Sequence, residues 1–266
     1  MGQSSEQEGM DMNNILELKN VSKSFGGIHA VSDVSLSLEK GSVNSLIGPN
    51  GAGKTTIFNL ITGIYTVDGG EILLDGVNIA NKKQHIITAA GVARTFQNIR
   101  LFQGLNVLEN VMTAYDPHSA YMLPSAMLGL PKKRRLDRKN REDSMHFLEI
   151  TGIVDYAAEN PNNLPYGLQR KLEIARALAT NPKVLLLDEP AAGLNSAEIV
   201  DLIDLIRQLN ETMGLSIILI EHRMQIVMEL SQHIYVMHFG KMLTEGTPEQ
   251  IQNDKAVRRA YIGVED

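Results

Sequence analysis

Ile15, Leu16 and Leu18 open a β-strand, and Val34, Leu36 and Leu38 alternate with Ser and Asp positions as the buried face of a second strand should. Gly26-Gly27 between them predicts the turn of an antiparallel hairpin. Val43, Leu46 and Ile47 form a further strand, and after a glycine-rich loop Ile57, Phe58, Leu60 and Ile61 follow at helical spacing. Glu71 to Asp75 with Gly76 adds a short strand and turn. Val92 to Phe96 is an apolar segment leading to Gln97, beyond which the pattern becomes helical over Val107 to Ala114, Lys139 to Tyr156 and Leu168 to Ala179. Pro117, Pro124, Gly129 and Pro131 punctuate the stretch between the first two of these helices. Val184-Leu185-Leu186-Leu187 and Leu215 to Ile220 are unbroken apolar runs, expected to be strands buried on both faces, with a helix over Glu198 to Leu209 between them. Strands alternating with helices predict a parallel sheet. The pattern thus implies an α/β fold: a mostly parallel sheet core, an N-terminal antiparallel β-subdomain, and a helical subdomain over about residues 98–180, inserted between Gln97 and the strand that ends at Asp188. One domain over 15–266 is expected behind a flexible tail at 1–14.

Composition changes this picture in three ways. With 266 residues and ordinary apolar and charged fractions, the chain can bury one large core or two modest ones. There is no cysteine, which excludes disulfides and thiolate metal sites and favours a reducing compartment. A formal net charge of -6 argues against nucleic acid as the main partner, and no apolar stretch reaches the roughly 20 residues of a membrane span. The N-terminus is polar and acidic with no apolar core of a signal peptide, so the expectation is a chain neither exported nor embedded.

The loop Gly48-Pro49-Asn50-Gly51-Ala52-Gly53-Lys54-Thr55-Thr56 is a full G-x-x-x-x-G-K-[ST] motif between a strand and a helix. By chance the four fixed positions would occur in about one chain of this size in a hundred, and the strand-loop-helix setting lowers that further. Glycines let the backbone wrap closely, so that N–H groups of Asn50, Gly51, Ala52, Gly53 and their successors meet polyphosphate oxygens at a helix N-terminus. Lys54 can reach the β- and γ-phosphates, Thr55 can ligate Mg²⁺, and Thr56 can donate to a nearby phosphate. The segment resembles that of a P-loop NTPase core, which is the fold expected here. Leu187-Asp188-Glu189-Pro190 supplies two carboxylates at the end of a buried strand, a costly place for charge. Ligands of open α/β sheets sit beyond the carboxyl ends of the strands, so Asp188 should share a crevice with the loop and ligate Mg²⁺ directly or through water. Glu189 is placed to orient or deprotonate an attacking water.

In its order of motifs the chain resembles an ATP-binding subunit of an ABC transporter. Leu164-Pro165-Tyr166-Gly167-Leu168-Gln169-Arg170-Lys171-Leu172-Glu173-Ile174-Ala175-Arg176-Ala177-Leu178 resembles the signature loop and helix, Gln97 stands at the Q-loop, and His222 follows the strand Ile217 to Ile220 as the switch histidine does. Val92 to Phe102, Tyr166-Gly167, Ala191-Ala192-Gly193-Leu194-Asn195, Ile220-Glu221-His222 and Arg259-Ala260-Tyr261-Ile262-Gly263 are similar to the ATPase subunits of branched-chain amino acid importers. The resemblance implies ATP and Mg²⁺ as ligands, with Phe25 stacking on adenine, Gln97 touching both Mg²⁺ and the water, and His222 meeting the γ-phosphate and orienting Glu189. It implies a head-to-tail pair of ATPase subunits, identical or related, in which Tyr166, Gly167, Leu168 and Gln169 of one cover the nucleotide of the other, with Gly193, Leu194 and Asn195 as the D-loop. It also implies two integral membrane permease subunits, a substrate-binding protein acting indirectly through them, no nucleic acid partner, and a peripheral place on the cytoplasmic face of the inner membrane.

Three positions depart from the family pattern. Pro165 stands where a serine hydroxyl often reaches the γ-phosphate, Asn195 replaces the usual Asp, and Arg223 sits where an acidic residue is common. The basic run over 131–141 has two readings, a solvated helix face or a contact with anionic headgroups or an acidic loop of the membrane partner. Nothing in the sequence reads the cargo, so urea, amides or another small polar solute stay open beside branched-chain amino acids, as does a soluble ATPase acting on nucleic acid or ribosomes.

Overall fold

The computed structural model describes residues 13–114 and 131–262. Most of the expected tail, the stretch with Pro117, Pro124 and Gly129, and Gly263 lie outside them. Strands β1 (Asn14–Phe25) and β2 (Ile28–Glu39) form the expected hairpin, with Phe25 opposite Ile28 and Gly26 and Gly27 both at positive φ, the conformation that a two-residue turn between twisted strands requires. Strand β4 (Gly69–Leu74) pairs antiparallel with β1, and the short β5 (Val77–Asn78) completes a four-stranded sheet in the order β2-β1-β4-β5.

The second sheet has six strands in the order β10-β9-β3-β8-β7-β6: β3 (Val43–Ile47), β6 (Val92–Arg94), β7 (Val184–Asp188), β8 (Ser216–Ile220), β9 (His233–His238) and β10 (Lys241–Gly246). All neighbours are parallel except β9 and β10. The apolar runs are buried on both sides because successive side chains face two different cores: Val184 and Leu186 join the packing of the antiparallel sheet and helix α1 (Lys54–Ile61), while Leu185 and Leu187 join the helices on the opposite face. Ile217 and Leu219 divide from Ile218 and Ile220 in the same way.

After α2 (Gln84–Ala90) and β6, the helices α3 (Val107–Met112), α4 (Pro131–Ile150) and α5 (Tyr166–Leu178) pack around Val107, Leu108, Val111, Leu148, Leu172 and Ala175. Helix α5 is apolar on two sides, giving Ile174 and Leu178 to the sheet core and Leu172 and Ala175 to the helical cluster. The predicted helix over Lys139 to Tyr156 begins earlier and ends earlier: proline is tolerated in a first helical turn, the basic residues after it are good helix formers, and Gly152 at φ 68 stops the helix so that Val154–Tyr156 is a single 3₁₀ turn. Helix α6 (Ser196–Met213) likewise extends the predicted segment at both ends, started by an Asn195 and Glu198 capping box and stopped at Gly214. Helices α7 (Met224–Leu230), α8 (Pro248–Asn253) and α9 (Lys255–Ile262) close the chain over Ile47, Val227, Ile234, Val236, Ile251 and Val257.

Candidate functional site

Parallel neighbours all end at the same edge, so the order β3-β8-β7-β6 lines up four strand ends: the glycine-rich loop after Ile47, His222 after Ile220, Glu189 after Asp188, and Gln97 just beyond Arg94. Segments more than a hundred residues apart in sequence meet there because the hydrophobic runs fix the register.

The loop wraps against β9. A Cβ on Gly53 would stand 2.6 Å from the Ala30 carbonyl oxygen, and one on Gly48 would run into the Met237 carbonyl, so only glycine fits at either position. Gly53, at φ 104, starts α1 with no side-chain cap, which leaves the first N–H groups of the helix facing the loop's interior. Lys54 is buried, 6% exposed, and its ammonium donates to the carbonyls of Gly48 at 2.6 Å and Pro49 at 3.0 Å. Burial pulls its pKa below the ordinary 10.5 against the opposing charges of Glu189 and Asp188. A cleft of about 280 Å³ is lined by Ala30, Asn50, Gly51, Ala52, Gly53, Lys54, Thr55, Thr56, Glu189 and His222. One cation, an open helix N-terminus, two hydroxyls and a carboxylate in one cleft fit a polyphosphate with its divalent ion.

Glu189 sits at φ 47, a left-handed conformation costing a non-glycine residue about 1–2 kcal/mol, and it is fixed there by its N–H donating to the Ile220 carbonyl at 2.9 Å. Both carboxylate oxygens are engaged: Gln97 Nε2 donates to Oε2 at 2.8 Å, and His222 Nε2 lies 2.9 Å from Oε1. Side chains from two neighbouring strand ends therefore converge on the carboxylate carried by a third. Asp188, buried one residue earlier, accepts from Arg94 at 2.7 Å, and Arg94 also donates to Asn59 on α1.

Other expected site residues lie outside the cleft lining. Phe25, half exposed at the end of β1, packs edge-on to Tyr65 with ring centroids 5.0 Å apart. Tyr166, Gly167, Leu168 and Gln169 open α5, and none of them lines the phosphate cleft of their own chain. Instead the Tyr166 ring covers Gly193, where a Cβ would lie 3.1 Å from it, and Gly167 lies against Glu198. Pro165 precedes the helix and its carbonyl accepts from Leu168 and Gln169. Asn195 caps α6, and Arg223 donates to the Leu194 carbonyl at 3.4 Å, which gives that arginine a contact with the segment just before the cap. Of the basic run, Arg135, Arg138, Lys139 and Arg141 are exposed on α4, and the side chains at 132–134 lie outside the described ones.

The sequence did not point to Arg94 as the partner of Asp188, nor to Glu221. The latter is buried and bridges two strand ends, accepting from Ala191 N–H at 2.8 Å and from His222 N–H at 3.1 Å. A charged residue at the end of the unbroken apolar run Leu215 to Ile220 is the signal that could have marked Glu221.

The fold and this crevice define an ATP-binding cassette. Residues 31–192 match the family described as ABC transporter, and 241–266 match the branched-chain amino acid ATP-binding cassette transporter family. The chain belongs to the ABC transporter family and is an ATP-hydrolysing cassette of it. It is 45% identical over 94% of its length, and 98% of the relative's, to the high-affinity branched-chain amino acid transport ATP-binding protein BraF of Pseudomonas aeruginosa. Among solved structures it is similar to a nucleotide-free ATP-binding cassette from an ABC transporter (TM-score 0.82, 32% identity, 94% of this chain and 100% of that one). It is also similar to a dimeric bacterial ABC transporter cassette (TM-score 0.72, 26% identity, 88% and 98%). Among the described residues no helix is long and apolar enough to cross a membrane.

Proposed function

We propose that this chain hydrolyses ATP to power the import of branched-chain amino acids through separate membrane subunits. The observation that carries the catalytic part is the convergence of Gln97 and His222 on the strained Glu189 beside the glycine-rich loop. The cargo is supported by the match of the C-terminal segment and by BraF.

In this reading the loop N–H groups and the Lys54 ammonium grip the β- and γ-phosphates, and Lys54 exchanges its two loop carbonyls for phosphate oxygens. Phe25 stacks on the base. Thr55, Asp188 and Gln97 would hold Mg²⁺, which would supply neutralisation of the phosphate charge. Glu189 takes a proton from the water that attacks the γ-phosphorus, the bond to the β-phosphate oxygen breaks, and ADP and phosphate result. His222 and Gln97 fix the direction of that carboxylate. Because Tyr166, Gly167, Leu168 and Gln169 stay away from their own cleft, they act on the nucleotide of a second ATPase subunit, identical or related, across a head-to-tail pair. Gly193, Leu194 and Asn195 lie at that junction.

Arg100, Leu101, Phe102, Thr113, Ala114 and Arg176 line an open groove a few residues beyond Gln97, with Phe102 exposed. In the pair, the groove of each ATPase subunit receives one of two permease subunits on the cytoplasmic face of the membrane, and a substrate-binding protein reaches the ATPase only through them. A Glu189→Gln variant should retain ATP binding, assemble with the membrane subunits and lose ATP-dependent leucine uptake in vesicles. Uptake at the unaltered rate would overturn the catalytic reading, and uptake of urea or amides without leucine, isoleucine or valine would overturn the cargo.

A further inference from the structure

Arg170 is the largest fully buried side chain among the described residues, and it lies at the junction of α5 with the segment that carries Gln97. Its guanidinium donates to the Phe96 carbonyl at 2.8 Å, the Gln97 carbonyl at 3.0 Å, the Tyr166 hydroxyl at 3.2 Å and the Glu173 carboxylate at 2.7 Å. Glu173, equally buried, uses its other oxygen to accept from the Phe96 N–H at 3.1 Å. The pair thus holds both backbone groups of Phe96 and the carbonyl of Gln97. A buried ion pair is a poor way to gain stability, because an apolar pair of similar volume does as well or better, so its retention here calls for another reason. Burial raises the Glu173 carboxyl above its ordinary value despite the Phe96 amide and Arg170, which marks the same cost.

Gln97 itself is exposed and belongs to no strand or helix, yet its side-chain amide must meet Glu189 Oε2. Nothing in local secondary structure fixes its backbone. We infer that Arg170, through its pair with Glu173, is a positioning residue that sets the aim of the Gln97 amide at Glu189. Through the Tyr166 hydroxyl and the Tyr166 ring over Gly193, it ties that aim to the signature loop and D-loop of the same subunit. A planar fork with several fixed donors can satisfy two successive carbonyls and a hydroxyl at once, and a lysine ammonium cannot reproduce that geometry. The inference rests on the reading of Gln97 and Glu189 as catalytic.

The test is a double-mutant cycle on the full chain reassembled with its membrane subunits, with the paired substitution Arg170→Met/Glu173→Leu on one side and Gln97→Ala on the other. Removing both charges together avoids stranding one of them. Thermal melting, ATP affinity and turnover are measured for each variant. Turnover of the paired variant should fall by about tenfold to a hundredfold with ATP affinity within about twofold of the unaltered protein, as expected for a misaimed group. In the Gln97→Ala background the same paired substitution should cost nothing further. Multiplying effects, unchanged turnover, or turnover and ATP affinity lost together would overturn the inference, whereas a silent Gln97→Ala would overturn the reading beneath it. Arg170→Lys, which keeps the charge beside Glu173, covers the case in which the paired variant does not fold. It should lower turnover at unchanged ATP affinity, and full activity, or failure of this variant to fold as well, would assign the pair to the scaffold alone.

Discussion

Two regions meet at Gln97 and hold their charges differently. On the crevice side Lys54 donates to its own loop's carbonyls, Glu189 leans on two neighbouring side chains, and Asp188 rests on Arg94. In the proposed mechanism each of these partners is exchanged for a phosphate oxygen, a water or a cation. On the α5 side Arg170 and Glu173 are themselves buried and are bound to each other and to backbone atoms of Phe96 and Gln97. On that reading, exchangeable partners mark the groups proposed to do the chemistry, and permanent ones mark the frame inferred to aim them. In the crevice, polar groups cost stability and gain function; at α5 the same kind of charge costs stability and gains direction.

The contrast breaks most visibly at Glu189. Replacing it with Gln should lower ATP turnover by about 10²–10⁴-fold, while melting temperature and ATP binding hold or improve, since the strained position loses a charge and keeps its shape. Loss of fold together with activity would place Glu189 in the frame instead. Arg94 stands between the two regions, because it is buried like the α5 pair but its partner is Asp188. Arg94→Met leaves that carboxylate unpaired and should destabilise the nucleotide-free chain by about 3–5 kcal/mol. If Asp188 belongs with the exchangeable groups, added ATP and Mg²⁺ should recover more stability in the variant than in the unaltered protein, read as the ligand-induced rise in melting temperature. An equal rise in both would move Asp188 to the permanent side.

The crevice was largely legible in the sequence, and the α5 junction was not. Lys54, Asp188, Glu189 and His222 stand in short motifs beside unbroken apolar runs, and strand order brings the ends of such runs together. The hairpin was legible for a similar reason, since Gly26-Gly27 admits the backbone of a two-residue turn. Arg170 and Glu173 are i and i+3 on a helix, and along a helix that spacing reads equally well as a solvated salt bridge. Only the packing of α5 on both the sheet core and the helical cluster buries that face. The start of α4 was missed because a proline reads as a stop when it can equally stand in the first turn. The Arg94 contact with Asp188 depends on the pairing of β6 with β7, a register that no local pattern announces.

A smaller effect tests whether close backbone approach, and not glycine's flexibility alone, shapes the crevice. Gly53→Ala would put a methyl group 2.6 Å from the Ala30 carbonyl and should destabilise by about 1–3 kcal/mol while weakening ATP binding. Gly51 is also at positive φ, at 80°, but has nothing within 4 Å, so Gly51→Ala should cost only the left-handed strain of about 1–2 kcal/mol. Chemical denaturation of the two variants compares them directly, and equal costs would remove packing against Ala30 from the account.

The smallest effect comes from a charge that belongs to neither region. Asp68 is exposed, yet Lys23 donates to one of its oxygens at 2.7 Å and the Ser24 N–H to the other at 2.8 Å, next to the Phe25 and Tyr65 ring pair. These two bonds, the Lys23 bond foremost, favour the ionised form and hold the carboxyl below its ordinary value of 3.8. The folded chain therefore binds that proton less readily than the unfolded chain, so the contribution is complete above about pH 3.8 and fades as pH falls through the lower folded value. Asp68→Asn should lower the melting temperature at pH 7 by about 2 °C at most, because water and salt screen an exposed pair, and the gap to the unaltered chain should narrow below pH 3.8. No gap at pH 7 would mean that the Ser24 N–H contact matters through the shape of the loop, which an amide oxygen reproduces, and not through the charge. ATP turnover should be unchanged at pH 7; a loss there would place the Lys23 to Asp68 pair among the groups that aim Phe25.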